Sequence, residues 1–399
     1  MLRQIVILAG GGGTRLGPLT TDTPKPLLPV GGRPFLDRLL VEYGRYGLDR
    51  AILLAGYKGD RLQKYYERQP LAGVKVQVLV ETTPLGTAGA LREACALLDR
   101  QFVLANGDTF FDFNVLGMQD DVGGIDWLAK IALRRSDDAR RFGKVRLDPR
   151  NRVLSFIEKD QASGPGLINA GVYLLRRQLV ERIDPTCTSL EQEVFPQLAQ
   201  EGRLVGVPFT GSFIDIGVPE NYQAAQSEID LVSRRPAAFL DRDGVLNVDR
   251  GYTHKVQDLL WTPGAREAIR LLNDRGYLVF VATNQAGVAR GLYDEEAVRR
   301  FHDRMQLELR AVGAHVDEFV YCPHLPEGTV LAYAQACSCR KPATGMLQLL
   351  ANKWSIRCEA SFLIGNKETD NECARRFGIR GHTYSGGSLM EFLEDILPS

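Results

Sequence analysis

Short hydrophobic runs alternate with amphipathic segments along the whole chain. The runs IVILA (5–9), AILLAG (51–56) and FVLANGD (102–108) have the length and composition of buried β-strands. The segments FLDRLLVEYGRYG (35–47) and TAGALREACALL (87–98) instead repeat apolar residues every three or four positions, as an α-helix does. Strands that alternate with helices indicate an α/β fold with a largely parallel sheet.

The alternation pauses once, at SRRPAAFLDRDG (233–244), and then starts again. The preceding NYQAAQSEIDLVS (221–233) predicts a closing helix, and AAFLD (237–241) predicts the first strand of a second set. A chain of 399 residues is also long enough for two domains. We therefore predict a domain at 1–233 and another at 237–399, joined by a short linker, each a mainly parallel sheet flanked by helices.

Composition narrows the range of partners. Lys and Arg together number 49, as do Asp and Glu, so the net charge is zero and no basic field favours nucleic acid or a membrane surface. No apolar run is long enough for a signal sequence or a spanning helix, which predicts a soluble, cytoplasmic protein. Seven unevenly spaced cysteines argue against a disulfide framework. The expected partners are small phosphorylated molecules, and the oligomeric state stays open.

A glycine-rich loop, Gly10–Gly13, follows the first predicted strand. Its glycines do not fit the dinucleotide fingerprint, because position 15 is arginine where a third glycine is required. The Gly-Lys-Ser/Thr ending of a P-loop is also missing. The loop therefore predicts another kind of polyphosphate site, in which backbone N–H groups approach the phosphates while Arg15 and Lys25 neutralise their charge.

The string from Gly10 to Val30, GGGGTRLGPLTTDTPKPLLPV, resembles the signature of sugar-nucleotide pyrophosphorylases, which are nucleotidyltransferases. Further family-like motifs follow in order: ETTPLGTAGAL (81–91), NGD (106–108), FIEKD (156–160), INAGVY (168–173) and FIDIGVPENY (213–222). The resemblance covers about residues 3–230. Within the family, the chain looks most like the heptose-1-phosphate guanylyltransferases.

This resemblance implies a reaction and a set of site residues. A sugar 1-phosphate oxygen attacks the α-phosphorus of a nucleoside triphosphate, expected to be GTP, and pyrophosphate leaves, assisted by Arg15 and Lys25. Asp108 and Asp215 would hold Mg²⁺. Lys159 would bind the sugar phosphate. Glu158 and Asn169 would bind sugar hydroxyls, and the nucleotide would be held by Gly11, Gly12, Gly13, Thr14, Glu81, Gly86 and Thr87.

The second domain opens with FLDRDGVLN (239–247), which places Asp241 and Asp243 two residues apart. If the strand continues through them, both side chains lie on one face, where paired carboxylates suit metal and phosphoryl chemistry. With VATNQAG (281–287), CSCRKP (337–342) and LIGNKETD (363–370), the set resembles the haloacid dehalogenase superfamily over residues 237–395.

The superfamily resemblance implies phosphatase roles. Asp241 would be the nucleophile that forms an aspartyl phosphate, and Asp243 would protonate the leaving alcohol and later deprotonate water. The phosphoryl oxygens would be held by Thr283 and Lys341, with Asn284 lining the pocket. Mg²⁺ would lie among Asp241, Asp243 and Asn366.

A loop in the second domain carries Cys322, His324, Cys337 and Cys339 in a C-x-H…C-x-C pattern. Three thiolates and one imidazole form a closed tetrahedral set, which predicts a structural zinc. This loop, with DRDGVLN and GVARG, resembles heptose 1,7-bisphosphate 7-phosphatases; histidinol-phosphate phosphatases are the main competitor. Arg290 and Arg340 are candidates for binding a second substrate phosphate.

One residue departs from the superfamily pattern. Asn366 stands where the family has a Mg²⁺-binding aspartate, and its amide oxygen can coordinate a cation but brings no charge. We expect a bifunctional enzyme that removes the 7-phosphate of heptose 1,7-bisphosphate and then transfers a nucleotidyl group to heptose 1-phosphate. Two alternatives are another sugar, such as mannose 1-phosphate, and a second domain that binds phosphosugars without hydrolysing them.

Overall fold

The computed structural model describes residues 2–139, 143–157 and 164–397 and divides the chain into two compact units, Met1–Val232 and Ser233–Ser399. Residues next to this boundary pair with the second unit. Arg235 N–H donates to Ser355 O at 3.1 Å, and Arg357 N–H donates to Arg235 O at 2.7 Å. The segment that sequence patterning assigned to a linker is therefore hydrogen-bonded structure of the second unit.

The first unit is an α/β structure, as the alternating pattern predicted. Its strands are β1 (Gln4–Leu8), β2 (Pro29–Val30), β3 (Arg33–Pro34), β4 (Arg50–Ala55), β5 (Lys75–Val80), β6 (Gln101–Asn106), β7 (Thr109–Phe111), β8 (Ala129–Ser136), β9 (Lys144–Leu147), β10 (Val153–Ile157), β11 (Gly166–Arg176), β12 (Leu204–Phe209) and β13 (Phe213–Asp215). Its helices are α1 (Phe35–Arg45), α2 (Gly59–Arg68), α3 (Gly86–Glu93), α4 (Arg177–Val180), α5 (Phe195–Gln200) and α6 (Pro219–Ser233).

Within the described part of the first unit, seven strands form the main sheet in the order β12-β8-β11-β6-β1-β4-β5. All neighbours run parallel except β11, which is antiparallel to both β6 and β8. The two-stranded ribbon β9–β10 lies between β8 and β11 along the chain, and β11 returns beside β8 in the opposite direction. Hydrophobic patterning did not predict this reversal, because a strand buried on both faces looks the same in either direction.

Both faces of the main sheet are covered. Along β1, Ile5 and Ile7 pack into one apolar core, while Val6 packs into the other. This explains why IVILA is continuously hydrophobic rather than alternating. The polar loops that follow β1 and β6 emerge side by side at one edge of the sheet, because these strands are parallel neighbours.

The second unit is also α/β. Its strands are β14 (Ala237–Leu240), β15 (Leu278–Asn284), β16 (Glu318–Cys322), β17 (Phe362–Gly365) and β18 (Arg380–Thr383). They form a fully parallel sheet in the order β16-β15-β14-β17-β18. Its helices are α7 (Ala265–Asp274), α8 (Glu295–Ala311), α9 (Gly345–Lys353), α10 (Glu368–Phe377) and α11 (Leu389–Ile396). The central strand β14 places the loop that starts at Asp241 at the carboxyl edge, where sites of open parallel sheets form.

Among the helices of the described residues, none combines the length and apolar character needed to cross a bilayer.

Candidate active sites

The glycine loop of the first unit has a conformation that requires glycine at Gly13. Its φ is 64°, in the left-handed region, and a Cβ atom there would lie 2.7 Å from the Thr20 side chain. Thr20 also donates its hydroxyl to Gly13 O at 3.2 Å, which fixes the turn. At Gly11, a Cβ would meet no atom within 4 Å, so this part of the loop faces open space.

That space is a cavity of about 480 Å³ at the carboxyl edge of the sheet. Most of the nucleotide-binding residues predicted from sequence line it, and Gly12 lies between two of them in the loop. The lining includes Gly11, Gly13, Thr14, Arg15, Lys25, Glu81, Gly86, Thr87 and Asp108. Segments far apart in sequence are therefore brought to one cavity.

Lys25 and Asp108 provide an ammonium and a carboxylate to the cavity, and Asp215 lies next to this pair on strand β13. Lys25 forms an ion pair with Asp108, and its side chain is only 9% exposed. Strand β13 pairs with β7 so that Asp215 lies opposite Thr109, next to Asp108 in the chain. Gly217 N–H donates to Asp215 Oδ1 at 2.5 Å. Two neighbouring carboxylates provide the hard oxygen ligands that suit a divalent cation.

Glu81 also lines the cavity, beside Gly10 and Gly56. Its Oε2 accepts a hydrogen bond from Leu85 N–H at 3.3 Å, and a methyl group added to Gly56 would collide with its carboxylate. The next turn contains Gly86, whose φ is 70° and whose position has no room for a Cβ beside Thr188 O. The loop 81–87 thus presents a carboxylate and tightly packed backbone to the cavity.

Sequence reasoning missed Glu191, which also lines the cavity. Its carboxylate accepts hydrogen bonds from the hydroxyls of Thr87 at 3.2 Å and Tyr173 at 3.3 Å. Tyr173 Oη in turn accepts from Asn169 Nδ2 at 2.9 Å. Burial, with the Glu191 charge nearby, raises the pKa of Tyr173 well above its usual value, so the phenol remains a donor.

These hydrogen bonds give Asn169 a structural role, where the sequence analysis predicted that it binds a sugar hydroxyl. Its Oδ1 accepts from Gly171 N–H at 2.9 Å while its Nδ2 holds Tyr173, so the amide already supports the site wall. Glu191 belongs to a single π-helical turn, Leu190–Val194, with no recognised motif. The predicted sugar-binding residues Glu158 and Lys159 lie outside the described residues.

In the second unit, three buried charges meet at the end of β14. Lys341 Nζ lies 2.9 Å from Asp241 Oδ1 and 2.6 Å from Asp370 Oδ1. Burial raises the pKa of Asp241; Lys341 opposes this shift, whereas Asp370 and Asp243 reinforce it. The two carboxylates outweigh desolvation for Lys341 and raise its pKa, so the ammonium stays charged. Asp370 was not among the predicted site residues.

Asp243 is held by a set of donors that the sequence analysis did not anticipate. β14 ends at Leu240, so the strand alternation expected for Asp241 and Asp243 does not extend to them. The chain turns instead, and the intervening Arg242 donates to both oxygens of Asp243, at 2.9 Å and 2.8 Å from Nη2. Gln285 Nε2 and Asn247 Nδ2 also donate, at 2.8 Å and 3.0 Å.

Motif residues on the neighbouring strand complete the site. Thr283 is buried at the end of β15 and accepts from Gln285 Nε2 at 2.9 Å. Asn284 holds the backbone of Lys341, because its Nδ2 donates to Lys341 O at 3.1 Å and its Oδ1 accepts from Lys341 N–H at 3.0 Å. Arg340 donates to His324 O at 3.2 Å, and Arg290 is exposed. Asn284 thus positions the lysine as well as bordering the site.

Asn366, a predicted cation ligand, lies beside the loop that follows Asp243. Its Oδ1 is buried and has no hydrogen-bond partner within the described residues. The amide packs against Gly244, whose φ is 86° and where a Cβ would collide with Nδ2. A buried carbonyl oxygen without a donor is costly, which favours a ligand such as Mg²⁺ at this point.

The predicted zinc residues form one cluster. The ligand atoms of Cys322, His324, Cys337 and Cys339 lie within 4.8 Å of one another. Sγ–Sγ distances of 3.2–3.5 Å are too long for disulfides, whose bond is about 2.05 Å. All seven cysteines lie in the described residues, and none is oxidised. The donor set fits a tetrahedral zinc.

The first unit has a cavity lined by a glycine-rich loop and charged side chains, as expected for a nucleotide-binding enzyme. The second unit has a buried aspartate site at the end of a parallel sheet, as expected for a phosphatase. Comparisons agree. Residues 4–230 match the family described as nucleotidyl transferase, and residues 239–371 match the one described as polynucleotide kinase 3 phosphatase. The chain belongs to the nucleotidyl transferase family and carries a phosphatase in its second half, so it is both a nucleotidyltransferase and a phosphatase.

Individual relatives match one unit each. The D-glycero-β-D-manno-heptose-1,7-bisphosphate 7-phosphatase of Rhodopseudomonas palustris is 46% identical over 164 residues, 41% of this chain and 91% of that protein. The D-glycero-α-D-manno-heptose 1-phosphate guanylyltransferase of Campylobacter jejuni is 34% identical over 223 residues, 55% and 96% of the two chains. The crystal structure of HddC from Yersinia pseudotuberculosis complexed with GMP-PN is 32% identical, with a TM-score of 0.51, over 57% of this chain and 99% of that one.

Proposed function

We propose that the two units catalyse consecutive steps in making a nucleotide-activated heptose. The second unit removes the 7-phosphate of heptose 1,7-bisphosphate. The first transfers GMP from GTP to the resulting heptose 1-phosphate and releases pyrophosphate. The observation that carries this proposal is that a relative of each unit is named for one of these two steps, so the product of one unit is the substrate of the other.

The anomer must be shared if the steps are consecutive. The 7-phosphatase relative is named for the β anomer and the guanylyltransferase relative for the α anomer. Phosphate removal at C7 leaves the C1 configuration unchanged, so the phosphatase has to accept whichever anomer the transferase uses. We assign the α anomer to both units, since C1 carries the reacting phosphate only in the transferase.

In the transferase, positioning and charge neutralisation carry the chemistry. Asp108 and Asp215 would hold Mg²⁺, which offsets the triphosphate charge when bound. Arg15 and the Gly11–Gly13 amides hold the phosphate chain. Lys25 exchanges its ion pair with Asp108 for the phosphates as pyrophosphate departs. Lys159 would bind the sugar phosphate and Glu158 a sugar hydroxyl, as the family resemblance implies.

Glu81 supports guanine as the base. Guanine presents two donors, N1–H and the N2 amino group, along one edge, and a carboxylate accepts both. Adenine presents an acceptor at N1, which a carboxylate repels. Glu81→Gln is therefore expected to reduce the preference for GTP over ATP by about tenfold or more, the range for losing a charged hydrogen bond. An unchanged GTP/ATP ratio of kcat/KM would remove Glu81 from base recognition.

In the phosphatase, Asp241 attacks phosphorus while Asp243 gives a proton to the departing sugar oxygen. Asp243 then takes a proton from water, whose oxygen attacks the aspartyl phosphate and releases inorganic phosphate and free Asp241. Lys341 and Thr283 bind the phosphoryl oxygens. Asp241 and Asn366 are the side chains that would face Mg²⁺, since the Asp243 carboxylate is engaged by Arg242, Gln285 and Asn247. Arg290 and Arg340 remain candidates for the second phosphate.

The cysteine–histidine cluster would hold a structural zinc. Its four donors close a tetrahedron with no position left for a substrate. The cluster ties the ends of the 322–339 loop to the sheet next to Lys341, so it supports the phosphatase site without taking part in the reaction.

A substrate panel tests the proposal. The purified chain is supplied with heptose 1,7-bisphosphate, mannose 1,6-bisphosphate or histidinol phosphate, and released phosphate is measured. Heptose 1-phosphate and mannose 1-phosphate are then tested with each nucleoside triphosphate. The highest kcat/KM is expected for the heptose substrates and for GTP. A clear preference for mannose 1-phosphate or histidinol phosphate would overturn the assignment of the sugar or of the second unit.

A further inference from the structure

We infer that Arg242, the residue between the two aspartates, is a positioning residue that holds Asp243 in the orientation needed to protonate the leaving oxygen. This inference rests on the proposed role of Asp243 as the general acid. It assigns a function to a side chain that belongs to no part of the predicted active-site set.

Arg242 is the largest fully buried side chain among the described residues, and its contacts are concentrated at the phosphatase site. Nε and Nη2 donate to Asp243 Oδ1 at 3.1 Å and 2.9 Å, and Nη2 also donates to Oδ2 at 2.8 Å. The fork geometry of a guanidinium fixes the plane of the carboxylate as well as its distance. A single point charge could not impose that orientation.

The guanidinium is itself held on several sides. Nη2 lies 2.6 Å from Thr253 O and 3.1 Å from Gln285 Oε1, so its two hydrogens are shared between these acceptors and Asp243. The ring of Phe301 on α8 lies 4.6 Å from the guanidinium carbon, a cation–π distance. His302 Nε2 lies 3.4 Å from Nη1. Elements far apart in the chain therefore fix Arg242, and through it Asp243.

Gln285 provides a second link to the same carboxylate. Its Oε1 accepts from Arg242 and from Tyr293 Oη, the latter at 2.8 Å, while its Nε2 donates to Asp243 Oδ2. Both polar atoms of its amide therefore have partners in this arrangement. Asp243 is thus oriented before substrate arrives, which meets the geometric requirement for proton transfer.

A leaving-group comparison tests this inference. A sugar alkoxide is a poor leaving group and needs a proton, whereas p-nitrophenolate leaves without one. Arg242→Lys keeps the charge but loses the fork. It should lower kcat/KM for the sugar bisphosphate by about 100-fold, the lower end of the contribution of general acid catalysis, and lower kcat/KM for p-nitrophenyl phosphate by only about threefold. Equal losses for both substrates, or no loss, would overturn the inference.

Controls separate orientation from folding. Arg235→Lys makes the same change at another buried arginine of this unit and should leave the ratio of the two kcat/KM values unchanged. Guanylyl transfer by the same chain and its zinc content report intact protein. If Arg242→Lys loses zinc, Gln285→Met, which removes one donor to Asp243, decides the question, with the same selective loss expected at smaller size.

Asp243→Asn in the same assay tests the role of Asp243 as general acid separately from the positioning role of Arg242. It should show the selective loss for the sugar bisphosphate. If it does not, the role of Asp243 as the acid is wrong. If Asp243→Asn shows the selective loss but Arg242→Lys and Gln285→Met do not, only the positioning role is wrong.

Discussion

The two active sites of this chain differ in how much of their arrangement exists before substrate binds. The transferase cavity is lined by residues from several loops, and Lys25 and Asp108 form an ion pair there. In the phosphatase, Lys341 joins two buried carboxylates while Arg242, Gln285 and Asn247 already hold Asp243. A site that must admit a triphosphate and a second substrate has to stay open. A site for one phosphate group can be assembled in advance.

The largest expected effect separates the two sites completely. Asp108→Ala removes a predicted Mg²⁺ ligand and the partner of Lys25, and should lower guanylyl transfer by about 1000-fold or more, while phosphate release stays within twofold. Asp241→Asn removes the nucleophile and should do the reverse. Both activities are measured on the same preparation, so each variant serves as the folding control for the other.

If either variant lost both activities while the chain stayed folded, the two active sites would not be independent. That result would contradict the description of the chain as two separate sites.

Removal of zinc should affect the phosphatase site of the second unit and leave the transferase site unchanged. Cys337→Ser breaks the four-ligand cluster, and we expect zinc to fall well below the roughly one equivalent predicted for the wild type. Stability of the second unit should fall on the order of 4 kcal/mol, as for other lost metal sites, and phosphate release should fall with it. Guanylyl transfer should persist. Metal analysis and thermal unfolding provide the measurements.

The matched control for that variant is Cys358→Ser, a half-buried cysteine of the same unit outside the cluster. It should keep its zinc. A zinc-free wild-type protein, or equal stability losses in the two variants, would rule out the structural metal.

The amide at position 366 predicts a smaller effect on metal affinity. Asn366→Asp adds one negative charge at a site that already contains Asp241, and the Coulomb gain for a cation at about 4 Å is on the order of 1–4 kcal/mol. The Mg²⁺ concentration for half-maximal phosphate release should fall about tenfold. The Mg²⁺ dependence of guanylyl transfer should not change. If the wild-type chain released no phosphate and Asn366→Asp restored release, the second unit of the wild type would bind phosphosugars without hydrolysing them.

The smallest effect concerns pH. Burial, and then the charge of Arg242, lowers the pKa of His302 well below its usual value, so the folded protein keeps this ring neutral. The unfolded chain takes up a proton below about pH 6.5, so stability of the second unit is lost as pH falls through that value. At pH 5.5 the loss from this one group is about 1 kcal/mol. His302→Gln should flatten that dependence, measured by hydrogen exchange in α8; an identical pH slope would contradict it.

Much of the fold and part of each site followed from local pattern. Strand and helix positions were within a few residues because each element is buried on a regular face, and Lys25, Asp108, Asp241 and Lys341 stood in recognisable strings. The four residues of the predicted zinc cluster were found because their spacing is itself the signal, and their ligand atoms lie together in the fold.

The residues that the sequence analysis did not identify can be recognised only from their contacts in the folded structure. Glu191 lies about a hundred positions from Thr87, and no motif surrounds it. Arg242 was passed over because strand alternation was extended beyond Leu240, where the chain turns. Glu158 and Lys159 remain predictions, since they lie outside the described residues.

The central claim, that the units act in sequence on one sugar, is tested by the stoichiometry of a single reaction. The wild-type chain is incubated with the α anomer of heptose 1,7-bisphosphate, GTP and Mg²⁺, and products are followed by mass spectrometry. We predict one inorganic phosphate and one pyrophosphate per GDP-heptose formed, with heptose 1-phosphate as the transient intermediate. A nucleotide product that still carries the 7-phosphate, or phosphate release from the β anomer alone with no nucleotide sugar, would contradict the account.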